Sequence, residues 1–181
     1  MSAFRLSVRR SWVGMPVLLL LSSGLGAGAQ TQKGAVGDVA GRYATPKSFD
    51  VVADAALDAM RRRAGELNIG GVAVVAYFEG DRIQGWSSKM LVVDRYKDEP
   101  TSTSKGSNLL GIAYAKASEM ADTLKDSGSQ VRPPMTGEFG WSGGVVVRGK
   151  TGYLIAAFSG VKSEDDVQVS RTGVEEMRAK L

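Results

Sequence analysis

The chain has 181 residues, 43% of them hydrophobic, which suits one packed domain of moderate size. It has no cysteine and no histidine; this excludes disulfides, thiol catalysis, a Ser-His-Asp triad, a zinc site of the usual kind and a histidine-ligated haem. The formal charge of +4 owes much to residues 1–29, which hold Arg5, Arg9 and Arg10 and no acid. The remainder is close to neutral and carries no basic stripe for nucleic acid.

Those arginines precede an apolar run, Trp12–Leu21, and then the small residues Ser22–Ala29. Ala27-Gly28-Ala29 fits a cleavage site, so residues 1–29 read as a signal peptide. The run is about half the ~20 residues a membrane-spanning helix needs. The expected location is therefore periplasmic or secreted. Residues 30–46, rich in glycine and polar side chains, read as a flexible leader, and the domain is expected over 47–181.

Within the domain, Phe49, Val52, Ala56, Met60, Ala64 and Leu67 recur at helical spacing and predict a helix over Ser48–Leu67. The same pattern makes Arg61-Arg62-Arg63 a solvated face. Val72–Phe78 (VAVVAYF) predicts a buried strand. Glu79-Gly80-Asp81 turns into a second strand near Arg82–Ser87, which Lys89–Val93 continues, and Asp94–Ser107 reads as loop. Asn108–Leu124 predicts a helix with Leu109, Ile112, Lys116, Met120 and Leu124 along one side. A long loop, Ser127–Trp141, contains Pro133-Pro134. Gly144–Val147 and Tyr153–Ser159 predict a hairpin. Ser163-Glu164-Asp165-Asp166 then reads as the cap of a last helix that runs to about Lys180. The order α-β-β-α-β-β-α predicts an α+β fold, an antiparallel sheet of about four to five strands packed by three helices.

Gly144–Thr151 (GVVVRGKT) matches the phosphate-binding G-x-x-x-x-G-K-[ST] pattern, but that motif needs a strand before it and a helix after it. Here strand formers lie inside the motif and follow it, so a hairpin turn is expected and no nucleotide. The acids Glu164, Asp165 and Asp166 are expected to serve the helix end rather than a metal.

Ser142-Gly143-Gly144-Val145, then Ala156–Val161 (AAFSGV), then Ser163–Asp166, resemble the motifs of the GlcG/HbpS-like haem-binding family, which includes the PduO C-terminal domain. The Ala-rich helix Ala53–Ala64, the VAVV strand, Gly80 and Lys116-Ala117 extend the resemblance over roughly residues 48–180. The chain departs from the family pattern at Glu79-Gly80-Asp81, at Val146 where a proline is usual, and at Ser118, Glu119 and Met120. The resemblance implies a sandwich of the GlcG/HbpS type, haem or a related tetrapyrrole as ligand, and homo-oligomers. It also implies a sensor or envelope protein as partner. Gly80, Gly143, Gly144 and Gly160 would be its structural turn glycines.

Without histidine, a haem ligand must come from Tyr, Met or Lys. The candidates are Tyr114, Lys116 and Met120 on one helix, with Arg132, Met135, Phe139 and Trp141 around the long loop; Tyr114 is the first choice for iron, and Arg132 or Lys116 for propionates. A ligand-free interaction module of the same fold is the alternative. An enzyme is the third reading, because paired carboxylates are hard to find: Glu119 and Asp122 merely share a helix surface. The mature protein is expected to begin at Gln30. Intact mass of the exported form tests this, and a membrane-held species that retains residues 1–29 would refute it.

Overall fold

The computed structural model describes residues 47–181. The expected signal peptide and leader lie outside the described residues. Helix α1 (Lys47–Glu66) is followed by strands β1 (Gly71–Glu79) and β2 (Ser87–Val93). A two-residue ladder, β3 (Lys97–Asp98) and β4 (Ser107–Asn108), leads into helix α2 (Leu109–Thr123). Strands β5 (Gly144–Arg148) and β6 (Gly152–Ser159) precede helix α3 (Ser163–Arg178). The fold is α+β. The main sheet has four strands in the order β2-β1-β6-β5, antiparallel throughout. Among the described residues no helix is long and apolar enough to cross a membrane.

The sheet separates two cores. β1 is buried from Gly71 to Phe78, because alternate side chains enter opposite layers. Ala73, Val75 and Tyr77, with Leu154, Ala156 and Phe158 of β6, face α1 and α3. Val72, Val74, Ala76 and Phe78, with Ile155 and Ala157, face α2. Small residues lie opposite β-branched ones in the β1–β6 register, Val75 on Ala156 and Ala76 on Ile155. At the strand ends the rings of Phe78 and Tyr153 stack with centroids 5.4 Å apart.

Helix α1 ends where Asn68 takes a left-handed conformation (φ 53°) and the Ile69 amide bonds the Ala64 carbonyl at 3.0 Å. Its outer acids reach back to the sheet: Lys89 of β2 lies 3.1 Å from Asp54 and 3.4 Å from Asp50. In α2, the Asn108 side chain accepts from the Gly111 amide at 2.9 Å.

Three local expectations are corrected. The second strand is Ser87–Val93, so the expected continuation Lys89–Val93 is strand while Arg82–Trp86 is not. Arg82 and Gln84 are exposed with no apolar alternation to bury, whereas Leu91 and Val93 pack on one core and Met90 on the other. The cap of α3 is Lys162, with no side-chain cap bond, so Ser163 is the first helical residue and not the cap. Of the four glycines expected in turns, only Gly80 (φ 78°) and Gly143 (φ 135°) have positive φ. Gly144 and Gly160 are needed for space instead: a Cβ would run into the Met120 side chain at the first and the Phe158 ring at the second.

GVVVRGKT occupies β5 and the turn to β6, where the Gly149 amide bonds the Gly152 carbonyl at 2.8 Å. The next element is a strand, as the hairpin reading expects. At Gly152 the neighbouring strand leaves no room, since a Cβ would overlap the Phe78 carbonyl. Gly152→Ala is therefore expected to destabilise the protein by about 3 kcal/mol, the upper end of overpacking costs. Urea unfolding checks this; a midpoint within experimental error of wild type contradicts it.

Candidate functional site

The buried side of α2 is apolar except at Lys116 and Glu119. Lys116 lies one turn beyond Ile112 and is only 3% exposed. Its Nζ donates to the Phe158 carbonyl and to Asp166 Oδ2, both at 2.8 Å. Asp166 comes from the first turn of α3, and its Oδ1 accepts from the Gly160 amide at 3.0 Å. Gly143 closes the other side, because a Cβ there would occupy the position of the lysine amine. The Gly143 carbonyl accepts from the Ser170 hydroxyl at 2.7 Å and the Phe158 amide at 3.0 Å. One ion pair thus joins α2, α3, the end of β6 and the entry to β5. Burial pushes the Lys116 amine below its ordinary pKa and the Asp166 carboxyl above its own, and the attraction between them opposes both shifts.

A cleft of about 360 Å³ opens onto this pair. Its walls come from the first turns of α2 (Leu109, Ile112) and α3 (Ser163), and from the end of β6 (Ser159, Gly160). The β3–β4 segment adds Arg95, Asp98 and Ser107, and the long loop adds Trp141. Arg95 Nε bonds Asp98 Oδ1 at 2.8 Å. The cleft therefore holds two carboxylates, Asp98 and Asp166, each facing its own cation. Among the described residues no group of three or more His, Cys, Asp or Glu side chains is placed to hold a metal.

Of the sequence-derived candidates, Lys116 and Trp141 line this cleft. Phe139 joins them indirectly, its ring 4.8 Å from that of Trp141. Tyr114 is half-buried and packs against Trp86, centroids 6.4 Å apart, away from the cleft lining. Met120 is fully buried, its methyl end against Gly144. Arg132 joins helix α2 to its own loop rather than standing free in solvent: it bonds Asp122 of α2 at 2.6 Å and both oxygens of Glu138 at 2.6 and 2.8 Å. The guanidinium, helped by the Met135 amide, draws the Glu138 carboxyl down to about 2. Met135 is exposed on the same loop.

The places of Asp166, Arg95, Asp98 and Ser159 at the cleft escaped the sequence reading, which had Asp166 as a helix-end acid and Ser159 only as part of a motif. Asp166 left a signal, because it falls in phase with Val169, Ser170, Gly173, Val174 and Met177, the buried stripe of α3. An acid in such a stripe needs a buried cation, and Lys116 was the lysine sitting in the stripe of α2. Arg95, Asp98 and Ser159 left none, since each belongs to a loop or a strand end.

Comparison with family models gives no match, and comparison with curated proteins gives none either. Among solved structures, the chain is similar to the Klebsiella pneumoniae protein ORFY, of the DUF336 family model, at 15% sequence identity and a TM-score of 0.49. The similarity covers 71% of this chain and 89% of that one.

Lys116→Met strands the Asp166 carboxyl in the interior, at an expected cost of about 3–5 kcal/mol. Adding Asp166→Asn keeps an acceptor for the Gly160 amide and removes the charge, so the double variant should recover more than half of that loss. Urea unfolding of the four proteins of the cycle measures this; a double variant as unstable as the sum of the singles contradicts the pairing.

Proposed function

We propose that the domain is a ligand-binding module rather than an enzyme, and that its ligand is haem or another flat tetrapyrrole held at the cleft. The observation that carries this is the Phe139–Trp141 pair. Both rings are about half exposed, at 46% and 51%, and Trp141 lines the cleft. Exposed aromatic faces beside a concavity suit a planar apolar ligand. The sequence resemblance to haem-binding proteins supports the same ligand. The role it implies is that of an exported haem binder, a sensor or the accessory of an envelope protein.

The donor set fits a haem held by its faces and edges rather than by an axial side chain. Met120 is sealed in the core, Tyr114 faces Trp86, and the Lys116 amine is engaged by Phe158 and Asp166. Arg95, on the cleft wall, is the cation for a propionate. Bound haem would supply a redox-active, absorbing group. Nothing in the cleft resembles an acid–base pair in waiting, because Asp98 and Asp166 are each neutralised by a neighbour.

Haemin titrated into the purified protein is expected to give a saturable change in the Soret band. Trp141→Ala should weaken it about tenfold, by loss of an aromatic contact, and Tyr114→Phe should leave spectrum and affinity unchanged. Absence of saturable binding would favour the ligand-free interaction module.

A further inference from the structure

We infer that the inner end of the cleft is a carboxylate anchor, in which the Ser159 hydroxyl and the Arg95 guanidinium receive the acid group of the ligand at the start of α3. This rests on the reading of the cleft as the ligand seat and adds the chemical group that it recognises.

The observation behind it is Ser159. The residue is 3% exposed, yet its hydroxyl meets no hydrogen-bond partner among the described residues. No fully enclosed side-chain polar atom among the described residues lacks a partner, so the little surface Ser159 retains includes its oxygen. Strand alternation places Ser159 on the same face of β6 as Ile155 and Ala157, towards α2, and it lines the cleft there. With no protein partner, that oxygen is left to whatever occupies the cleft.

Beside that hydroxyl, Arg95 and the first turn of α3 offer donors to an acid group. The first turn of α3 lines the same cleft, and its cap residue Lys162 places no side-chain acceptor on the free amides there. Arg95 uses Nε on Asp98, and no acceptor among the described residues meets its two terminal nitrogens. The charge balance selects between anions. Asp98 and Asp166 already match Arg95 and Lys116, and Glu164 and Asp165 add acid to the first turn of α3, so the site suits the anion of lower charge. A carboxylate brings one negative charge; a phosphate monoester brings nearly two at neutral pH.

Two sources share this chemistry, a haem propionate and a small organic acid. The test uses melting temperature with benzoate, benzamide or inorganic phosphate, and Soret titration with haemin or its dimethyl ester. Benzoate is expected to raise the melting temperature saturably, and benzamide not. Ser159→Ala should weaken benzoate about tenfold, the scale of one hydrogen bond to a charged group. It should fold normally, since no protein hydrogen bond is lost. Arg95→Gln should weaken benzoate too. If haem is the source, the dimethyl ester binds about tenfold more weakly than haemin, and Ser159→Ala removes that difference.

Benzoate binding without haemin binding supports the anchor and overturns the haem reading. Haemin and its ester binding equally, with no effect of Ser159→Ala, overturns the anchor and leaves the cleft reading standing. Phosphate stabilising as strongly as benzoate overturns the choice of carboxylate. No response to any of these ligands overturns both.

Discussion

The buried contact between Lys116 and Asp166 is the constraint on which the arrangement of layers depends. The sheet keeps α2 on one face and α1 with α3 on the other, in two separate apolar cores. The ion pair connects α2 to α3 at the end of β6, where the sheet stops. A buried ion pair is seldom a large net source of stability, because desolvation offsets much of the attraction. Its value is selective. A lysine and an aspartate enclosed at 3% and 4% exposure tolerate only an arrangement in which they meet. Gly143 follows from the same requirement, as does the Ser170 hydroxyl that holds the Gly143 carbonyl.

The order and class of the elements were legible in the sequence because burial writes simple periods. VAVVAYF could be buried on both faces only as a central strand, and the three- and four-residue spacing in α1 and α2 matches the residues that are enclosed. The hairpin beneath the phosphate-loop pattern was legible for the same reason. What failed was local. Arg82–Ser87 was read as strand for its position after a turn, while the strand lies in its expected continuation, where the residues have partners to bury. The acids opening α3 were read as a group serving the helix end, although one of the three, Asp166, belongs to the inner stripe.

The cleft was less legible than the core, for a physical reason. Its residues arrive from α2, α3, the end of β6, the β3–β4 segment and the long loop, and no periodicity relates residues on different elements. Residue chemistry alone pointed to Lys116 and Trp141, and it equally suggested Met120 and Tyr114, whose side chains are committed to packing. A methionine on a helix in the sequence carries no mark of which way it faces. Only the phase of its neighbours does, and that phase puts Met120 among Leu109, Ala113 and Ala117 in the core.

The clasp that Arg132 and Glu138 form has a bearing on how this chain can change over generations. It ties together the two ends of the exposed tip Pro133–Gly137, so the tip is a handle whose ends stay fixed whatever its length. Lengthening such a closed segment costs little, about 0.6 kcal/mol for each doubling. By contrast, Asp126 and Ser127 at the start of the same loop hold the amides of Val146 and Gly144 on the outer strand, and an insertion there would uncover it. A newly acquired peptide, natural or grafted, is therefore best accommodated in the tip, where it would stand beside Trp141 without disturbing the sheet.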